Sequence, residues 1–260
     1  MSEARPRGGT RSAPPVGLFV PCYVDQLRPD VGLATLEVLE AHGVQVDYPR
    51  AQTCCGQPWL NSGCTRDAAW LARRFVEIFR DYEYVVAPSA SCVATLRGHY
   101  TKLLGGSADV CARSFELCEF LCDVLGVDRV EGRFAHRVGL HESCHGLRGL
   151  RQGGASERVG EPGSKVRRLL ASLDAIELTA LERPDECCGF GGVFAVEEEA
   201  VSCMMGLDRV RDHERSGADV VTSTDLSCLL HLEGLIRRNG APLQVMHVAQ
   251  ILAGREAVAR

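Results

Sequence analysis

The sequence predicts an α/β protein of two pseudo-symmetric halves, each with a small parallel sheet flanked by helices. Three observations carry this expectation. Short β-rich apolar runs alternate with segments of helical period, the order that lays helices over both faces of parallel strands. One cysteine pattern occurs twice, in the same order. The 260 residues are 45% hydrophobic, which is enough to bury a substantial core in one large domain or two small ones sharing an interface.

Strands are expected at 16–21, 45–48, 84–87, 137–140, 175–179 and 219–222, where apolar and β-favouring residues cluster. Helices are expected at 68–82, where Leu71, Phe75, Ile78 and Phe79 share a face, and at 226–238, where Leu229, Leu232 and Ile236 do. Residues 1–15, rich in Arg, Gly, Ser and Pro, lack the apolar core of a secretory signal and are expected to form a disordered tail. The Gly-rich polar stretch 151–163 reads as an inserted surface loop. A boundary near residue 130 then gives one cysteine-rich repeat over 16–130 and a second over 131–260.

Composition narrows the function. The formal net charge is −5 with both signs interspersed, so no basic footprint for nucleic acid is present. No run approaches the roughly twenty apolar residues of a membrane span, and a cytoplasmic protein is expected. Thirteen cysteines, an odd number in a chain too long to need stapling, point to metal or redox chemistry in a reducing compartment rather than to disulfides.

The repeated cysteines are Cys22, Cys54, Cys55 and Cys92, against Cys144, Cys187, Cys188 and Cys228. Their spacings are 32 and 37 residues in the first copy and 43 and 40 in the second. Each lies at or just after the carboxyl end of an expected strand, where open parallel sheets gather ligands. Consecutive Cα atoms sit about 3.8 Å apart and disulfides usually span about 4.4 to 6.8 Å, so neither doublet suits a bridge within itself. Adjacent thiolates suit the several irons of a polynuclear cluster. Both doublets are followed by glycine, which permits a tight turn and brings backbone amides towards the sulfurs. These eight residues are therefore the expected metal ligands, holding an iron–sulfur cluster of the 4Fe–4S type, with zinc as the alternative.

The motifs PCYVDQLRPDVG, CCGQPWLNSG, APSASC, HESCHGLR, CCGFGGVF and STDLSCLLH make the chain from Val16 onward resemble the cysteine-rich CCG proteins. That family includes a component of heterodisulfide reductase and iron–sulfur components of glycolate and glycerol-3-phosphate oxidation systems. The resemblance is closest to its lactate-utilisation branch. It implies an electron-transfer subunit acting with other iron–sulfur lactate-utilisation subunits to oxidise L-lactate to pyruvate, with no catalytic residue assigned. The family motif ends each repeat in CxxC, but Ser89 and Asp225 stand here where the first of those cysteines belongs. Four thiolates per repeat remain, enough for an ordinary cluster. The substitutions weigh against five-cysteine clusters and heterodisulfide-type thiol chemistry. A heterodisulfide-type oxidoreductase and a zinc-binding scaffold are the alternative functions.

Other motifs carry less. His141-Glu142-Ser143-Cys144-His145 matches the zinc-protease pattern, but that chemistry needs a helix and this run follows a strand and closes on Gly146. His141 and His145 are left as donors or a replacement ligand near the cluster, or as plain loop residues. Cys118 and Cys122 recur at helical spacing beside Leu121 and Leu125 and are expected in the core, as are Cys64, Cys111 and Cys203. GFGGVF lacks the last glycine of a dinucleotide fingerprint.

Overall fold

The computed structural model describes residues 16–106, 109–159 and 163–257; the expected tail at 1–15 lies outside them. The first half runs β1 (Val16–Leu18), α1 (Cys22–Leu27), α2 (Pro29–Ala41), β2 (Val46–Asp47), α3 (Gln57–Asn61), α4 (Thr65–Phe79), β3 (Val85–Ala87), α5 (Ala90–Leu104), α6 (Asp109–Ala112), β4 (Ser114–Glu116) and α7 (Leu117–Asp123). The second runs β5 (Arg137–Leu140), a π-turn (His145–Gly149), α8 (Lys165–Ala171), β6 (Glu177–Leu178), α9 (Phe194–Glu197), α10 (Glu199–Arg215), β7 (Val220–Ser223), α11 (Leu226–Asn239), β8 (Gln244–His247) and α12 (Val248–Leu252).

Each half holds a four-stranded, all-parallel sheet, ordered β2-β1-β3-β4 in the first and β6-β5-β7-β8 in the second. The order is the same once the strands are matched in sequence, so the duplicated cysteine pattern reflects a duplicated fold. Strands β1, β3 and β7 are buried along their whole length, as expected of strands covered on both faces. The α4 stripe of Ala68, Leu71, Ala72, Phe75 and Phe79 is buried, and its charged face is turned outward. Helices α5 and α11 both end on a left-handed glycine, Gly105 at φ +67° and Gly240 at φ +66°.

Strands β4 and β8 are not among the expected ones. Both are sheet-edge strands of three and four residues, too short for an alternation to show, and pairing with β3 and β7 defines them. The expected strand from residue 16 stops at Leu18, because Pro21 caps α1 and turns the chain out of the sheet. The 151–163 stretch is not wholly a surface loop. Gln152 is buried and its amide donates to Glu116 Oε2 at 2.6 Å.

The largest apolar cluster draws on both sheets, with Leu18, Leu117 and Phe120 from the first half against Val138, Leu140, Leu169 and Ile251 from the second. Burying this shared surface fixes how the halves sit. No helix among the described residues is long and apolar enough to cross a membrane.

Candidate metal centre

Cys22 opens α1, Cys54 and Cys55 lie in the loop ahead of α3, and Cys92 is in the first turn of α5. In the second half Cys144 follows β5, Cys187 and Cys188 lie in the loop ahead of α9, and Cys228 is in the first turn of α11. All therefore sit beyond the carboxyl ends of strands. Docking of the halves brings seven of the eight to the wall of one cavity of about 280 Å³, the exception being Cys92, which hydrogen-bonds Cys55.

Within the first set, the Cys22 thiol donates to Cys54 Sγ at 3.5 Å, and Cys55 hydrogen-bonds both Cys54 and Cys92. The second set repeats this. Cys144 hydrogen-bonds Cys187, and Cys188 hydrogen-bonds both Cys187 and Cys228. Hydrogen bonds from Cys22 and Cys55, joined by the Gly56 amide, overcome burial and hold Cys54 down to about 3. Those from Cys144 and Cys188, with the Gly189 amide, hold Cys187 down to about 2. Hydrogen bonding to the neighbouring thiols, together with burial, pushes Cys22, Cys55, Cys144 and Cys188 above the ordinary thiol range. Each set thus offers one ready thiolate and resists further ionisation until a cation compensates the charge, the behaviour of a thiolate metal site.

The glycine after each doublet acts as expected. Gly56 N–H points at Cys54 Sγ at 3.3 Å and Gly189 N–H at Cys187 Sγ at 3.4 Å, with Phe190 N–H 3.5 Å from Cys188 Sγ. Gly189 has φ +86°, and a Cβ there would stand 2.5 Å from the Ser202 carbonyl oxygen and 2.8 Å from Met205 Cβ. Only glycine fits.

Ser89 and Asp225 do not sit apart as two vacant ligand positions. The Ser89 hydroxyl and the Ser91 N–H both donate to Asp225 Oδ1, at 3.0 and 2.9 Å, and residues 89 and 225 form an antiparallel bridge. Asp225 is fully buried on the cavity wall, and its Oδ2 has no partner among the described residues.

The zinc-protease pattern does not form. His141 follows β5, whereas His145 starts the π-turn with its Nε2 3.2 Å from the Gln57 amide nitrogen, so no helix face carries both. His141 is 1% exposed, and neither ring nitrogen has a hydrogen-bond partner among the described residues. Burial and then the Arg209 charge push its pKa down to about 4, keeping the ring neutral. A buried polar group without a partner costs about 1–3 kcal/mol, so these nitrogens ask for a ligand. One of them lies with the sulfurs of Cys188 and Cys228 in a group whose members are all within 4.8 Å of one another. The donor set and the orphaned nitrogens both fit a thiophilic metal.

Cys118 is fully buried in the core and Cys122 packs beside it, while Cys111 lies in a second apolar cluster. Cys203 is half-buried against a third. Cys64 departs from expectation: it is exposed, because it lies in the turn between α3 and α4. Sequence reasoning missed Tyr23 and Phe190, whose rings meet edge-to-face at 5.9 Å from opposite halves on the cavity wall. Their position directly beside Cys22 and the CCG of 187–189 was the available clue.

The model of the CCG cysteine-rich domain matches residues 16–97 and 138–233, once in each half. Lactate utilization protein A of Halalkalibacterium halodurans is 39% identical over 248 residues, covering 93% of this chain and 97% of that protein. Lactate utilization protein A of Geobacillus kaustophilus is 38% identical over 247 residues, covering 92% and 99%. Among solved structures, a hypothetical protein from Helicobacter pylori superposes with a TM-score of 0.56 at 12% identity, over 94% of this chain and 51% of that one, a likeness of fold. With a cysteine-rich domain in each half and close relatives matched over nearly their full length, the chain belongs to the lactate utilization protein A family of CCG cysteine-rich proteins.

Proposed function

We propose that this chain is an iron–sulfur electron-transfer subunit of a system that oxidises L-lactate to pyruvate. The observation that carries the reading is the convergence of two cysteine sets, one from each half, on a single cavity whose wall holds seven of their eight members. Its substrate class comes from the names of the relatives. The two sets belong to repeats over 16–130 and 131–260, and each holds one cluster of the 4Fe–4S type through its four thiolates. Bound there, such clusters supply one-electron redox chemistry.

The chain's own residues set the conditions. The Gly56, Gly189 and Phe190 amides donate to ligand sulfurs and spread their negative charge. Tyr23 and Phe190 wall the cavity with aromatic surface, which lowers the local dielectric. Oxidising a hydroxy acid removes two electrons and protons, so the reading includes partner subunits that carry the group for that step. A reducing cytoplasm is the setting in which thirteen free thiols persist.

Zinc is the second reading, favoured by the compact group of His141, Cys188 and Cys228. Anaerobic purification decides between them. Brown protein with iron and acid-labile sulfide, and lactate-dependent dye reduction that needs the partner subunits, is the expected result. Colourless protein with stoichiometric zinc would make this a scaffold, and lactate oxidation by the isolated chain would end the subunit reading.

A further inference from the structure

His141 takes the place in the second half that Phe19 holds in the first. Each follows directly on the second strand of its sheet order, and each stands three residues ahead of the single cysteine, Cys144 or Cys22. Their backbones make the same bond: His141 N–H donates to the Thr222 carbonyl at 2.8 Å, and Phe19 N–H to the Val86 carbonyl at 2.9 Å. Their side chains live in opposite surroundings. Phe19 packs edge-on against Phe75 and Phe79, with ring centroids 5.2 and 5.8 Å away. His141 puts a nitrogen into the group with Cys188 and Cys228, the one group of three possible ligands so compact among the described residues.

In the twin half this position is filled by an apolar ring, Phe19. His141 is buried with both nitrogens unpartnered among the described residues, as His213 is, but only His141 joins two cysteine sulfurs in one compact group. Imidazole can replace thiolate in iron–sulfur centres, where it raises the reduction potential.

We infer that His141 is a nitrogen ligand to the metal held by Cys188 and Cys228, so that the two halves carry chemically different centres. This rests on the metal-binding reading above and extends it. The first half ligates through thiolates alone. The second takes an imidazole in place of one of the four thiolates assigned above, stands at the higher potential, and is where an electron shared between the halves comes to rest.

The test uses the full-length, anaerobically iron-loaded chain with ¹⁵N-labelled histidine, reduced and examined by pulsed electron paramagnetic resonance, with circular dichroism to verify folding. The expected result is the hyperfine coupling of a directly coordinated nitrogen that shifts with the isotope, survives His145→Asn, and disappears in His141→Ala. His141→Cys, which restores a ligand, should keep the iron-to-protein ratio while losing the coupling and lowering the potential of one centre only. If His141→Ala does not fold, the labelled wild type and the cysteine variant decide. A wild type that holds iron without such a coupling overturns the assignment, as does a coupling that survives His141→Cys or vanishes in His145→Asn. A wild type that holds no iron overturns the iron–sulfur reading itself, a separate result read from metal content alone.

Discussion

The Ser89 hydroxyl donates to Asp225 Oδ1 across 3.0 Å, joining the N-terminal ends of α5 and α11 from opposite halves of the molecule. The two positions where the family motif places a fifth cysteine are thus spent on each other.

That pairing gives the first prediction. Ser89→Ala and Asp225→Ala should each keep most of the iron. Asp225→Ala should cost more stability, about 1–3 kcal/mol, because the Ser89 hydroxyl and the Ser91 N–H both lose their acceptor. Iron analysis and denaturant midpoints check both statements; loss of iron from either variant to the level of Cys55→Ser would mean oxygen ligation.

The second prediction separates ligand from core cysteines. Cys55→Ser and Cys188→Ser should lose or degrade one centre each, since each residue bridges its doublet to the last cysteine of its set. Cys118→Ala should retain iron and lose about 1 kcal/mol of packing. Iron content that falls in the folded Cys118 variant would show the assignment to be wrong.

Gly189→Ala supplies the third. The new Cβ meets the Ser202 carbonyl oxygen at 2.5 Å, and φ +86° is strained for any L side chain. A stability loss of at least about 1–2 kcal/mol is expected. Iron should fall to about half, because the loop that aims Cys187 and Cys188 moves while the first half is untouched. Gly63→Ala, at φ +74° with open space around it, is the control for backbone strain alone and should keep full iron.

The fourth concerns pH. Glu116 is fully buried, accepts hydrogen bonds from Cys118 N–H, Glu119 N–H and the Gln152 amide, and leaves Oε1 unpartnered among the described residues. Burial pushes its pKa from 4.5 up to about 8. Between those values the folded chain keeps a proton that the unfolded chain has released, so this group's contribution to stability falls as pH rises through the window. Glu116→Gln cannot titrate. Measured by denaturant unfolding at constant metal loading from pH 5 to 9, its unfolding free energy should lack that decline, and at pH 8 it should exceed that of the wild type by on the order of a few kcal/mol. Parallel pH profiles would place the proton elsewhere.

The eight cysteines were legible because duplication is a property of order along the chain: Cys22, Cys54-Cys55 and Cys92 are matched by Cys144, Cys187-Cys188 and Cys228, each doublet ahead of glycine. The α/β class was legible as well, since runs such as VVA at 85–87 and the stripe of α4 record the burial of each element in its own composition. Strands β4 and β8 escaped because an edge strand of three or four residues is defined by the neighbour it pairs with.

What the sequence determined by itself was the list of thiolates and the local turns that carry them, for those depend on residues near in the chain. Only the tertiary structure decided that seven of the eight cysteines face one cavity, that Ser89 reaches Asp225 across 136 positions, and that His141, buried and unpartnered among the described residues, lies beside Cys188 and Cys228 where its counterpart Phe19 is packed in rings. Those relations are set by the docking of two sheets through their shared apolar core, from Leu18 and Phe120 to Leu140 and Ile251. Local periodicity reports that such residues are buried, but the partner each meets depends on the shape of the other half.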